Sequence, residues 1–174
     1  MFNKKTLALG LFSIFASVNA NAADESSSAF GAVGINVAPE TQTFSGVEFD
    51  SNPIVFIQGG QTNVWAGLGW YAETGITVNI TDENGTSTEP YVDTTILGGG
   101  ITYAITSDFG VNLGGGYAWS NGAYKTTFLE YETEDENNQG YAKAGAYYVF
   151  DNGIRVASEY ASVGGVAFSV GTTF

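Results

Sequence analysis

The chain has 174 residues, a formal net charge of −13, and neither cysteine nor histidine. So strong a negative balance repels nucleic-acid phosphates, and the lack of Cys excludes a disulfide framework and thiolate chemistry. Acidic, Gly-rich chains are often disordered, but here aromatics reach 14%, which argues for a packed fold.

The first element is an export signal. Lys4 and Lys5 precede an apolar run from Leu7 to Ala16, and small residues follow up to Ala20-Asn21-Ala22. This order of charged, apolar and A-x-A segments is that of a cleavable signal peptide. The run is too short for a membrane helix, which needs about 20 apolar residues. Cleavage is expected after Ala22, with Ala20 as the alternative. A signal peptide at 1–22 leaves one domain at 23–174. That domain has three cations (Lys125, Lys143 and Arg155) against all 18 acids, a net charge of −15.

Period-two alternation then recurs along the chain and predicts strands with two unlike faces. The first covers about Ser28–Ala38 and the second about Pro53–Gly60. A turn is placed near Gln61–Asn63, although Ala66–Gly69 serves as well. Val64–Ile80 follows, with Leu68, Trp70, Ala72, Thr74, Ile76 and Val78 opposing Gly69, Tyr71, Glu73, Gly75, Thr77 and Asn79. Tyr91–Ile105 and Phe109–Ser120 are joined by Thr106-Ser107-Asp108. Gly140–Phe150 turns through Asp151-Asn152-Gly153, a hairpin signal with Gly for positive φ, into Ile154–Ala161. The last strand runs from Gly165 to Phe174, with Val166, Phe168, Val170, Thr172 and Phe174 on one face.

Eight strands result, and their connections differ in kind. Gln61–Asn63, Ser107–Asp108 and Asp151–Gly153 are short, whereas Pro39–Ser51, Thr81–Pro90 and Asn121–Asn138 are long and acidic. Ser162–Gly164 is short again. Short turns at one end and long loops at the other suit a transmembrane barrel. The faces agree. A soluble sandwich would carry charge opposite its apolar face, but here that face is mostly Gly, Ala, Ser, Thr and Asn, with rare charges. Small residues suit the crowded lumen of an eight-stranded barrel. Trp70, Tyr103, Phe109, Trp119, Tyr148, Phe150, Tyr160 and Phe174 are then directed to lipid, several near strand ends where aromatic girdles form. The fold class expected is all-β, an eight-stranded antiparallel up-and-down transmembrane barrel, and a soluble periplasmic β-protein is its rival.

The charges inside strands fall on the small-residue face: Glu73, Lys143, Arg155 and Glu159. A hairpin centred on Asn152 makes Lys143 and Glu159 diagonal neighbours, within reach of long side chains. A lumen network of these four residues is expected, with structural pairing as its role.

Gly98-Gly99-Gly100-Ile101-Thr102-Tyr103 with the turn at Thr106–Phe109, and Tyr147-Tyr148-Val149-Phe150-Asp151-Asn152-Gly153 followed by Ser158-Glu159-Tyr160, resemble the OmpA/OmpX-type small outer-membrane barrels. Tyr71-Ala72-Glu73-Thr74-Gly75 is similar to the third strand of that family. The resemblance implies an outer-membrane location in a Gram-negative bacterium, with lipid, lipopolysaccharide and the barrel-assembly machinery as partners. It also implies that Phe174, with Phe168 and Val170 at alternate positions before it, is the assembly signal. The peptidoglycan-binding domain of larger relatives is not expected after the last strand.

Related barrel enzymes use a histidine base, and this chain has none, so no catalytic residue is assigned and no cofactor is expected. Glu130, Glu132, Glu134, Asp135 and Glu136 form an acidic run that resembles no EF-hand. A weak divalent site there is a candidate, but a solvated, self-repelling loop is the preferred reading. The function expected is a surface protein with a structural, adhesive or ligand-binding role through acidic loops. The alternative is a narrow pore, because Gly34, Gly98, Gly100, Gly114, Gly116 and Gly171 could leave a water path unless Phe30, Phe56, Tyr71, Tyr141 and Tyr147 fill it.

Overall fold

A computed structural model describes residues 28–37, 42–44, 47–78, 89–125 and 130–174. The expected signal peptide lies outside the described residues, as does most of the acidic connection Thr81–Pro90. The strands are β1 (Ser28–Asn36), β2 (Gln42–Phe44), β3 (Val47–Ser51), β4 (Ile54–Trp65), β5 (Leu68–Thr77), β6 (Glu89–Ala104), β7 (Phe109–Lys125), β8 (Glu130–Val149), β9 (Ile154–Ala161) and β10 (Gly165–Thr173).

Eight of them close on themselves in the order β1, β4, β5, β6, β7, β8, β9, β10, and every neighbouring pair is antiparallel. The first and last strands complete the ring, from Phe30 opposite Thr173 to Asn36 opposite Ala167. Closure leaves no open edge along the band they share, a requirement for strands in hydrocarbon. No helix of the described residues is long and apolar enough to cross a membrane.

The turn between β4 and β5 lies at Ala66-Gly67, not at Gln61–Asn63. Ala66 and Gly67 both have positive φ, 50° and 87°, as a two-residue hairpin turn of the favoured twist requires. Asn63 also has positive φ, 52°, at a register shift between Gln61 and Trp65. Its Oδ1 accepts a hydrogen bond from the Gly67 amide at 2.9 Å. The polar cluster that reads as a turn is therefore a bulge inside the strand.

Two of the long connections are also more ordered than their charge suggests. Pro39–Ser51 contains the β2–β3 hairpin, and β3 pairs in parallel with β6 at Asp50–Tyr91 and Ser51–Val92. Much of Asn121–Asn138 is strand: β7 runs on to Lys125, opposite Glu130 of β8. Alternating acids are compatible with a strand that has water on both sides, so charge alone does not make a loop.

The two faces separate cleanly. Outward-facing Leu113 is 59% exposed, Ile101 51%, and Phe168 and Val170 52% each. Apolar side chains presented mid-strand on a closed barrel are incompatible with a soluble sandwich and match a lipid-facing band. Tyr148 and Phe150 pack edge-on, with centroids 5.0 Å apart, at the turn end. Tyr117 and Trp119 do the same at 5.0 Å toward the loop end. From Phe109 to Trp119, β7 rises about 33 Å along its axis, or about 25 Å along the barrel axis at a tilt of roughly 40°. That is the height of a hydrocarbon band between two aromatic girdles.

Candidate functional site: the packed lumen

Alternation directs Glu73 of β5, Lys143 of β8, and Arg155 and Glu159 of β9 into the barrel, and all four are buried. The β8–β9 register sets Gly145 opposite Glu159 and Lys143 opposite Ala161, so the two side chains approach diagonally. Lys143 Nζ lies 2.5 Å from Glu73 Oε2 and 2.8 Å from Glu159 Oε2. One ammonium thus joins carboxylates from opposite sides of the lumen. It also stands 4.3 Å from the Phe56 ring centroid, a cation–π contact that desolvation strengthens.

Arg155 makes no ion pair with these residues. Its guanidinium lies between two aromatic rings, 4.1 Å from the Phe30 centroid and 4.5 Å from that of Tyr147. It donates to Gln58 Oε1 at 3.3 Å and to Asn112 Oδ1 at 3.4 Å. Those two amides then turn their nitrogens to the acids. Asn112 Nδ2 donates to Glu159 Oε1 at 2.8 Å, and Gln58 Nε2 donates to both Glu73 and Glu159 at 3.4 Å. Tyr141 adds its hydroxyl to Glu73 Oε1 at 2.8 Å. Two carboxylates and two cations make the cluster neutral, and hydrogen bonds satisfy most of the remaining oxygens, the condition for keeping charges in a dry interior.

Gln58 and Asn112 connect Arg155 to the rest, and neither belongs to the four ions expected from the sequence. The available signal is position: Gln58 is a polar residue two places from Phe56 on the inward face, and Asn112 stands among the inward glycines of β7.

Three of the glycines expected to leave a water path, Gly34, Gly98 and Gly114, stand against aromatic side chains. A Cβ built on Gly34 would meet the Phe56 ring, one on Gly98 the Tyr141 hydroxyl, and one on Gly114 the Tyr71 hydroxyl. Gly110 faces Tyr147 in the same way. Each of these rings is seated over an inward glycine, so bare backbone is the space the ring occupies. Phe30, Phe56, Tyr71, Tyr141 and Tyr147 are all buried. Toward the loops, Ile54, Phe56, Ile96, Ala118, Tyr141, Val163 and Ala167 form one apolar cluster.

Phe168, Val170 and Phe174 lie on the outer face of β10, exposed to 52%, 52% and 68%. The side chains of Glu130–Glu136 lie outside the described residues. Among the described residues no cluster of three or more acids is arranged to hold a metal.

No family model and no curated protein sequence matches the chain. Solved structures do. Ail, the attachment invasion locus protein of Yersinia pestis, crystallised with the heparin analogue sucrose octasulfate, is similar at a TM-score of 0.62 and 9% identity. The match covers 85% of this chain and 98% of that one. The fold is that of the OmpA/OmpX-type small outer-membrane barrels. The N-terminal β-barrel domain of Pseudomonas aeruginosa OprF is similar at a TM-score of 0.50 and 12% identity, over 86% of this chain and 98% of that one. Neisserial surface protein A is similar at 0.50 and 10%, over 86% and 94%. At such identities the likeness carries architecture, and the roles of the lumen residues rest on their own geometry.

Proposed function

We propose that the chain is an integral protein of the Gram-negative outer membrane, exported by its first 22 residues, that serves the cell surface as a structural and ligand-binding module rather than as an enzyme or a pore. The observation that carries this reading is the filled lumen: the interior that would conduct is occupied by five aromatic rings and a neutral charge cluster. Catalysis is disfavoured because neither His nor Cys is present and the two buried carboxylates are engaged by Lys143. What remains for contact with other molecules is the loop end, where strands β6, β7 and β8 project beyond the aromatic girdle.

Ail supports an attachment role for such a projection by its name alone. Its sulfated ligand does not transfer. With Lys143 and Arg155 in the lumen, Lys125 is the only cation of residues 23–174 left for the surface. A polyanion is repelled by such a surface, and cationic or neutral partners are favoured.

Planar-bilayer recording tests the reading against the narrow pore. Folded protein, identified by a gel mobility that shifts on boiling, should insert and stay silent. Reproducible unitary conductance would replace the present reading with the pore. A pull-down from host extracts with and without residues 130–136 tests the loop end, and equal capture by both forms would exclude the acidic run as the contact.

A further inference from the structure

Three ions of the lumen stand in an arrangement that ion pairing alone does not require. Lys143 Nζ lies 2.5 Å from Glu73 Oε2, so the carboxyl carbon, one C–O bond farther, is within about 3.7 Å. Reacting atoms held about 3–3.5 Å apart combine readily. Glu159 stands on the other side of the amine. Its Oε1 is held by the Asn112 and Gln58 amides at 2.8 and 3.4 Å, whereas its Oε2 has no hydrogen-bond partner and lies 2.8 Å from Nζ. A carboxylate with one oxygen anchored and the other free beside an amine is placed to take its proton.

The carboxyl group of Glu73 is prepared as well. The Tyr141 hydroxyl donates to Oε1 at 2.8 Å, where the charge of a tetrahedral intermediate would develop, and such a donor acts most strongly where water is excluded. Gln58 Nε2 donates to Oε2 at 3.4 Å, the oxygen that would leave. Glu73 is fully buried, and Lys143 and Glu159 are each 3% exposed. The Phe56 ring covers the amine, its centroid 4.3 Å from Nζ. Holding charges in such a place is costly, and turning an ammonium and a carboxylate into a neutral amide removes that cost. Arg155 and Glu159 then remain as one cation and one anion, so the interior stays neutral.

We propose that Lys143 and Glu73 join in an isopeptide bond that the folded barrel forms by itself, with Glu159 as the catalytic base and acid. The ion cluster described above is the reactant. Glu159 Oε2 takes a proton from the ammonium, and the freed Nζ lone pair attacks Glu73 Cδ while Tyr141 supports the oxyanion at Oε1. The Cδ–Oε2 bond then breaks. Oε2 leaves as water with two protons, one held by Glu159 and one from the attacking nitrogen. Ammonium and carboxylate give amide and water, with no oxidant, cofactor or second substrate. The bond links β5 to β8, which β6 and β7 separate in the ring, and joins residues 70 apart in the chain. Such a link restrains the unfolded chain as a disulfide does, in a protein that has no cysteine.

Intact mass decides the matter. Full-length chain in denaturant should have the mass of its sequence, and after refolding in detergent it should become lighter by one water, at a rate independent of protein concentration. Digestion should then give a branched peptide joining the segments around Glu73 and Lys143. On gels the boiled chain should run ahead of boiled Lys143→Met, which should keep its full mass. Glu159→Gln retains the Lys143–Glu73 pair and should slow the loss of water about 100-fold or more. Glu159→Asp, which draws the oxygens back by one methylene, should slow it too. Both are checked for folding by the boiling-dependent gel shift. Folded wild-type chain that holds its full mass overturns the bond, and so does a water loss that persists in Lys143→Met. Loss at the wild-type rate in either folded Glu159 variant overturns the role of Glu159.

Discussion

Replacing Lys143 by methionine tests whether the lumen is dry and its charges interdependent. Lys143 is 3% exposed and the single cation in contact with both Glu73 and Glu159. Methionine keeps the stem and much of the volume but leaves two carboxylates facing one another across the barrel. Gln58, Asn112 and Tyr141 still donate to them, yet neutral donors do not cancel two negative charges. Removing one partner of a buried ion pair costs about 3–5 kcal/mol. The ammonium also leaves the Phe56 ring, which adds about 0.5–2 kcal/mol. A loss of about 4 kcal/mol changes the folding equilibrium roughly 1,000-fold and, for a slope near 2 kcal/mol/M, lowers a urea midpoint by about 2 M. Unfolding of the full chain in phosphatidylcholine vesicles, followed by tryptophan emission and by gel mobility, measures this directly. The decisive control is Glu73→Gln/Lys143→Met/Glu159→Gln, which removes all three charges and should recover most of the loss, because neutral replacement of a buried ion cluster is often close to neutral in stability. A cost below about 1 kcal/mol for Lys143→Met would refute the reasoning, since surface-like pairs in water behave that way. So would a triple variant as unstable as the single one.

Three further outcomes rest on the same geometry. Gly98→Ala should destabilise by about 1–3 kcal/mol, because its Cβ would meet the Tyr141 hydroxyl and the Gly115 carbonyl, whereas Gly31→Ala, with nothing within 4 Å, should be close to neutral; chemical unfolding of the pair in vesicles separates them. Leu113→Arg, on the outer face at 59% exposure, should cost about 2–4 kcal/mol in a bilayer, and a much smaller cost would place Leu113 outside the hydrocarbon band. Tyr141→Phe removes the 2.8 Å hydrogen bond to Glu73 and should cost about 1.5–3 kcal/mol, the range for a bond to a charged group, with the barrel still folding and shifting on gels.

Much of this architecture is visible in the sequence because the determinant is local and repeats. Period two, the hairpin at Asp151–Gly153 and the outward series ending in Phe174 each need only a few neighbouring residues to be read. The β4–β5 turn is left between two places by such a reading for an equally local reason: Asn63 has the residue type of a turn and Gly67 offers another, and only the pairing with β5 shows which of them reverses the chain. The acidic stretch reads as a loop because charge resembles disorder, although Glu130 and Glu132 stand in register with Lys125 and Ala123. Which cation meets which acid is a matter of the whole ring. Lys143 and Glu73 are 70 residues apart, on strands that are not adjacent, and shear and side-chain length decide that contact. Arg155 shows the limit of counting charges: it sits among the four expected lumen ions but is held by two rings and two amides.

The inward glycines bear most directly on function, because their number alone permits opposite conclusions. Counted by residue type, they describe a wide lumen. Placed in register, Gly34, Gly98, Gly110 and Gly114 lie beneath Phe56, Tyr141, Tyr147 and Tyr71, and the space given up by one strand is taken by a ring from another. Such pairing lets eight strands enclose five aromatic side chains together with Glu73, Lys143, Arg155 and Glu159 without widening the barrel. The ring hydroxyls then bear on the ions, most directly through Tyr141 on Glu73. A glycine substitution is thereby coupled to the charge cluster, so Gly98→Ala and Lys143→Met should be non-additive, with an interaction energy of about 0.5–3 kcal/mol. Strict additivity would mean that Tyr141 can yield without disturbing Glu73, and the interior would then be loose enough to reopen the case for a pore.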